Sequence, residues 1–233
     1  MSASTTPSLS SGPSGSSTQI ATPSDGSICT KLHALYCFDV LAAHYQGIDP
    51  VKPPFENWGE KYALFVTWNT NMHHRSNRKP ALRGCIGNFS PMRLANGLAE
   101  YALVSALEDH RFSPIKPSEL THLSCNVSLL TPMVSVSSPL DWTPGIHGIH
   151  ITYTHPQTHR TLTATYLPEV ASEQDWSREE AILSAIQKAG YKGEVKVGDD
   201  VWESLSVKVY ESEKATATWE EYQRWVEGRG SKS

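Results

Sequence analysis

Charge is scarce in this chain and not gathered in one sign. Only 19% of the 233 residues are Asp, Glu, Lys or Arg, and the formal net charge is −4. A protein built chiefly to grip nucleic-acid phosphates carries a concentrated basic excess, so the composition argues against a nucleic-acid partner. Long apolar runs are missing too. No stretch approaches the roughly 20 residues that cross a bilayer, and no membrane association is expected. The first residues hold no apolar segment of the signal-peptide kind. The four cysteines, Cys29, Cys37, Cys85 and Cys125, form no CxxC pair, which removes the zinc-ribbon and thioredoxin-type readings. Free thiols in a reducing compartment, the cytoplasm and nucleus, are the expectation. A repeated βαβ unit and a solenoid period are both absent, which favours α+β over a doubly wound sheet or a repeat array.

Apolar residues are sufficient for a core, at 39% of the chain. Residues 1–27 are the exception, with 20 Ser, Thr, Pro or Gly and the single charge of Asp25. Such a segment has little to bury, so 1–26 is expected to be a disordered tail, followed by one domain over 27–226 and a disordered end at 227–233. Within the domain, Leu32, Leu35, Leu41 and Tyr45 recur at helical spacing, and Gly47 marks the stop. Tyr62–Trp68 reads as a buried strand, and Asn69–Lys79 as a polar excursion carrying His73, His74, Arg75, Arg78 and Lys79. Leu82–Phe89 reads as a short strand interrupted by Gly84 and Gly87, with a helix from about Arg93 to Asp109. Leu123, Cys125, Val127 and Leu129 alternate with polar residues as in a half-buried strand. Ile149–Tyr153 and Leu162–Tyr166 form a strand pair around His155–His159. Ser177 with Glu180 and Thr218 with Glu221 are capping boxes that open two later helices, the first ending at Gly190, and Leu205–Tyr210 alternates as a strand between them.

The octet Leu82-Arg83-Gly84-Cys85-Ile86-Gly87-Asn88-Phe89 does not stand alone. Ser105-Ala106-Leu107 follows with Asp109, Arg111 and Phe112, then Cys125-Asn126-Val127-Ser128-Leu129-Leu130-Thr131. Asp141-Trp142 comes next with Gly145, His147, Gly148 and Ile149, then Ala164-Thr165-Tyr166-Leu167-Pro168-Glu169-Val170-Ala171. In this order, over roughly residues 27–225, the blocks resemble the AMMECR-one family. Asn88 stands where Thr is usual and Asp175 where Gly is usual. The resemblance implies a single α+β domain of two closely packed subdomains, with a mixed or antiparallel sheet and flanking helices. It implies no known reaction and no cofactor. Animal members are linked with the nucleus, and microbial relatives are often encoded with, or fused to, Memo-type and radical-SAM proteins, an association rather than chemistry.

Cys85 is the first candidate for chemistry. On a regular strand Arg83 and Cys85 share a face, and a guanidinium beside a thiol favours the thiolate. Gly84 and Gly87 would let a ligand or another chain approach the backbone. His147, between glycines, and Glu169, after Pro168, could supply base and orienter to a Cys85 nucleophile. The plainer readings are a buried structural thiol, a turn histidine bonding its own backbone and a carboxylate at a helix start. His147 and His150 have HxxH spacing without a third ligand, so no metal site is expected. Arg111 beside Asp109 reads as a structural ion pair or as a carboxylate- or phosphate-binding group, and Tyr166 joins Arg83, Gly84, Gly87 and Arg111 as a binding candidate. The leading functional expectation is a partner-binding module using the Leu82–Phe89 cleft, its partner an unidentified protein. The alternative is a cysteine-dependent enzyme, or a small-molecule-binding accessory to Memo-type or radical-SAM redox chemistry.

Overall fold

The computed structural model describes residues 26–71 and 80–230. The expected tail, apart from Gly26, and the basic part of the Asn69–Lys79 excursion lie outside the described residues.

Helix α1 (Lys31–Gln46) is buried all round, from His33 through Ala43. That is how a sequence without a polar stripe behaves: the helix becomes the centre of a core instead of its cover. It stops where Gly47 takes the left-handed conformation, at φ 67°. Strands β1 (Lys61–Thr70), β2 (Ala81–Arg93), β3 (Leu123–Leu130) and β8 (Ser212–Thr218) form a four-stranded sheet in the order β2-β1-β3-β8. Helix α2 (Leu94–Leu107) packs on β1, β2 and α1, and helix α6 (Trp219–Gly230) packs on α1 and β8. Phe38, Leu64, Trp68, Leu98, Cys125 and Leu129 are among the buried residues of this first core. The Trp68 indole donates to the Ala102 carbonyl at 3.0 Å, satisfying its one polar atom inside α2's shelter.

The second sheet has the order β4-β7-β5-β6, from Val134–Ser135, Ser206–Tyr210, Gly148–Thr154 and Thr161–Tyr166. Helices α3 (Pro168–Glu173), α4 (Arg178–Lys188) and α5 (Asp200–Glu203) flank it. Ile149, Ile151, Ile182, Ile186 and Trp202 belong to its own core. Every strand pairing in both sheets is antiparallel. The fold is therefore α+β, with two subdomains.

The chain leaves the first subdomain after β3 and returns through β7 and β8, with only Glu211 between those strands. Thr131 meets that return: its N–H donates to the Glu211 carbonyl at 3.0 Å, and its hydroxyl accepts from the Glu211 N–H at 2.8 Å. Beside this joint, Ala63, Leu130 and Tyr210 are buried together, with Phe65, Phe89, Met133 and Leu167 packed against them.

Both capping boxes form. Ser177 Oγ accepts from Glu180 N while Glu180 Oε2 accepts from Ser177 N, and Thr218 and Glu221 repeat the exchange. Three elements differ from expectation. Strand β2 is longer than 82–89 and runs unbroken through both glycines. Strand β8 has small and charged residues, with Ala217 its one buried position, so no apolar alternation announces it. Helix α6 continues to Gly230, past the expected boundary at 226, because its capping box and the buried Tyr222 and Trp225 start a helix that simply runs on.

Candidate functional site

Alternation along β1 and β3 turns Leu64, Val66, Trp68, Cys125, Val127 and Leu129 into the first core. Phe65, Thr67, Asn126 and Ser128 face the other way and are only half-buried. The register extends this outward face across all four strands: Cys85 opposes Thr67, Thr67 opposes Asn126, and Asn126 opposes Thr216. The second subdomain covers the face at its Ala63–Leu130 end and leaves the Cys85–Thr216 row open, with Thr216 exposed and the others half-buried. Thr67 Oγ1 donates to Cys85 Sγ at 3.0 Å, and Thr216 Oγ1 donates to Asn126 Oδ1 at 2.8 Å.

Cys85 lies on β2, an edge strand, and its backbone groups turn to the edge. Its N–H donates to Asp109 Oδ2 at 2.9 Å, and its carbonyl accepts from Arg111 Nη2 at 3.0 Å. Opposed residues that do not exchange backbone bonds bring their side chains close, as the Thr67 hydroxyl and the thiol are. Asp109 is buried, and Arg111 grips it through Nε at 2.9 Å and Nη2 at 2.7 Å. That guanidinium, aided by the Cys85 N–H, holds the Asp109 carboxyl well below the usual carboxylate range. Asp109 in turn raises the Arg111 pKa, as does the nearby Cys85. The expected ion pair is present, and it also covers a sheet edge that would otherwise be open.

The expectation that Arg83 flanks the thiol is corrected. Pairing steps from Trp68–Gly84 to Asn69–Leu82, so Arg83 is the extra residue of a β-bulge and leaves the alternation. Its guanidinium reaches the Pro117–His122 turn instead, donating to Glu119 Oε2 at 2.8 Å and Oε1 at 3.1 Å, and to the Ser113 and Pro114 carbonyls. The cation beside Cys85 is Arg111. Gly84 admits α2: a Cβ there would stand 1.9 Å from the Ser105 carbonyl oxygen. Gly87 lies under the Phe65 ring, 2.4 Å from where its Cβ would be. The close approaches at these two glycines are made by the chain itself.

His147 and Glu169 gather at the other side of the sheet, near the start of β8. His147 Nδ1 accepts from Thr143 N at 3.0 Å, and Nε2 stands 3.8 Å from Glu211 Oε1. Glu169 opens α3 and pairs with Lys214 on β8 at 2.8 Å. Three strand spacings, on the order of 14 Å, separate β8 from β2. The structure brings His147 and Glu169 to one joint but bonds neither to Cys85. Tyr166 is engaged in the second subdomain: its hydroxyl meets Ser184 Oγ at 3.0 Å, its carbonyl accepts from Tyr210, and Lys188 lies over its ring. Among the described residues, no group of three His, Cys, Asp or Glu side chains is placed to hold a metal ion. A cleft of about 390 Å³ lies elsewhere, lined by His33, Phe55, Asn57 and Tyr62 among others, and does not include Cys85.

Thr67, Asn126 and Thr216 were not candidates from sequence. Their alternation with buried neighbours could have placed Thr67 and Asn126 on an outward face, but only the register aligns them with Cys85.

The family model AMMECR1 matches residues 34–215. An uncharacterized protein of Arabidopsis thaliana is 41% identical over 193 residues, covering 83% of this chain and 87% of its own. An uncharacterized protein of Saccharomyces cerevisiae is 38% identical over 188 residues, covering 74% of this chain and 75% of its own. The crystal structure of an uncharacterized protein from Pyrococcus horikoshii superposes with a TM-score of 0.57 at 27% identity, covering 78% of this chain and 88% of that one. A family match over residues 34–215, most of the domain, together with a relative 41% identical over 83% of this chain, means that the chain belongs to the AMMECR1 family.

Proposed function

We propose that the protein is a partner-binding module that recognises another protein through the open half of the first sheet's outward face, around Cys85. The observation that carries this reading is the division of labour in Arg83-Gly84-Cys85. Arg83 and Gly84 are spent on holding the turn at Glu119 and the helix α2, while Cys85 stands half-buried on a face of hydroxyl, amide and aromatic groups. Half-buried polar groups beside the Phe65 and Phe89 rings are the mixture that protein recognition uses. The four free thiols fit a reducing compartment, the cytoplasm or nucleus. No helix among the described residues is long and apolar enough to cross a membrane.

A second reading, thiol chemistry at Cys85, is supported by the Thr67 hydroxyl on the sulfur and the Arg111 charge beside it. It lacks a base: among the described residues no histidine or carboxylate side chain is bonded to the sulfur. The test compares proteins captured in cells by wild type, by Asn126→Arg on the face, and by Trp58→Ser, an exposed residue that is not part of that face. The reading expects a set of proteins kept by wild type and Trp58→Ser and lost with Asn126→Arg. Equal capture by all three sinks it.

A further inference from the structure

The edge of β2 holds a cation whose hydrogen-bonding capacity is only partly used. A guanidinium has five N–H donors. In Arg111 the Nε donor and one Nη2 donor go to Asp109, and the other Nη2 donor goes to the Cys85 carbonyl. The guanidinium lies over the Phe112 ring, 5.4 Å from its centroid, and Nη1 keeps both of its donors free of hydrogen-bond partners among the described residues, with the side chain 58% exposed. This is not a loose surface arginine. Asp109, whose side chain is only 4% exposed, accepts from the Arg111 N–H, from Nε, from Nη2 and from the Cys85 N–H, so both of its oxygens are saturated. The anchor's charge is thus directed inward, and the free donors are held in one orientation at no further entropic cost.

We infer that Arg111 Nη1 is a binding site for a carboxylate group, holding it at the β2 edge beside the Cys85 thiol. The choice of ligand follows from the charges. Asp109 already neutralises Arg111, and a single amino group with two donors remains, which suits a monoanion with one oxygen to place. A phosphate would bring a second negative charge towards Asp109, where, among the described residues, Arg111 is the cation whose charge acts. The inference deepens the reading of this face as a recognition surface, since it names what the partner offers at its Cys85 end: an Asp or Glu side chain or a chain terminus.

Iodoacetate provides the test, because it carries a carboxylate and reports on the neighbouring thiol. The Cys85 thiolate displaces iodide, forming a C–S bond as the C–I bond breaks. Iodoacetamide does the same without the charge. The measured quantity is the ratio of iodoacetate to iodoacetamide rates at Cys85 in the full chain, by peptide mass spectrometry, against the same ratio for glutathione. The site should raise the ratio about tenfold, the scale of one charge-assisted hydrogen bond from a guanidinium to a carboxylate. Arg111→Ala should return it to the glutathione value. Arg111→Lys, which keeps a charge beside Asp109 if the alanine variant unfolds, should do so too, since one ammonium cannot serve Asp109, the Cys85 carbonyl and a ligand together. Acetate should slow the iodoacetate reaction more than inorganic phosphate at equal ionic strength. A wild-type ratio no higher than glutathione's, a raised ratio that both variants retain, or stronger protection by phosphate overturns the inference. Because the ratio needs no partner protein, its failure leaves the capture experiment untouched, and failed capture leaves the ratio untouched.

Discussion

Gly84→Ala gives the sharpest test of how the Cys85 edge is built. The new Cβ would lie 1.9 Å from the Ser105 carbonyl oxygen, so the two backbones must separate by about 1 Å or more. No rotamer relieves this, because the obstacle is main chain in the last turn of α2. Strand β2 cannot easily step back either. Asp109 and Arg111 hold Cys85 on one side of the position, and Glu119 holds Arg83 on the other. Overpacking of this kind costs about 1–3 kcal/mol, and two rigid partners place it at about 3 kcal/mol. For a domain of this size, about 2–4 °C of Tm is lost per kcal/mol, so thermal unfolding followed by circular dichroism should fall by about 6–12 °C. Gly59→Ala is the control, since nothing stands within 4 Å of its Cβ position and its φ is ordinary; its Tm should move by less than about 1 °C. A Gly84→Ala protein melting within about 2 °C of wild type would refute the argument that α2 needs a glycine on β2.

Three further outcomes follow from the contacts. Arg83→Met should destabilise the domain by about 2 kcal/mol, because it takes both guanidinium bonds from the nearly buried Glu119 carboxylate and leaves it only the Lys116 N–H; its Cys85 alkylation rate should stay within about twofold of wild type, and a larger change would mean that Arg83 does reach the thiol. Cys85 should alkylate first at pH 8, because Cys37 and Cys125 are fully buried and burial pushes the Cys29 thiol up to about 12; labelling of Cys29 at the rate of Cys85 in folded protein would contradict this core. Buried His33 accepts from Thr30 N–H and faces Asn57, and burial lowers its pKa below the ordinary 6.5. The unfolded ring therefore takes its proton first on acidification, so this contribution to stability is full above about pH 6.5 and is lost as pH falls towards the folded value. Urea midpoints between pH 7 and 5 should fall more steeply for wild type than for His33→Gln, and parallel slopes would reject it.

Helices and apolar strands were legible because their signals are local. Gly47, the two capping boxes and the alternation of Leu123 to Leu129 each act within a turn or a strand, and each element formed where they indicated. Strand β8 was not legible, because Ser212-Glu213-Lys214-Ala215-Thr216-Ala217-Thr218 has neither bulk nor β-branching beyond its threonines, and its place is set by pairing with β3. The site was legible in its residues but not in its geometry. The Asp109–Arg111 pair could be expected from two neighbouring charges, whereas its attachment to the Cys85 backbone is a long-range fact. The Arg83 bulge misled for the same reason: a one-residue slip cannot be seen from one strand, and it sends every side chain beyond it to the other face.

That slip gives the family octet its logic. A regular β2 would put Arg83 and Cys85 on one face and oppose a cation to the thiol from within the strand. The bulge sends Arg83 to Glu119, and the glycine that follows lets α2 close on the strand, which brings Asp109 to the edge at the end of that helix. Asp109 then fixes both the Cys85 N–H and Arg111, so the charge near the thiol arrives from outside the sheet with two donors unspent. An in-strand arginine would have been one more half-buried ion on the face. An arginine carried by the edge turn leaves the face itself neutral, with Thr67, Asn126 and Thr216 open, and keeps its charge where a partner passing over the edge meets it first. Each residue of Arg83-Gly84-Cys85 thus has a different neighbour, and removing any one of them should disturb a different part of this arrangement.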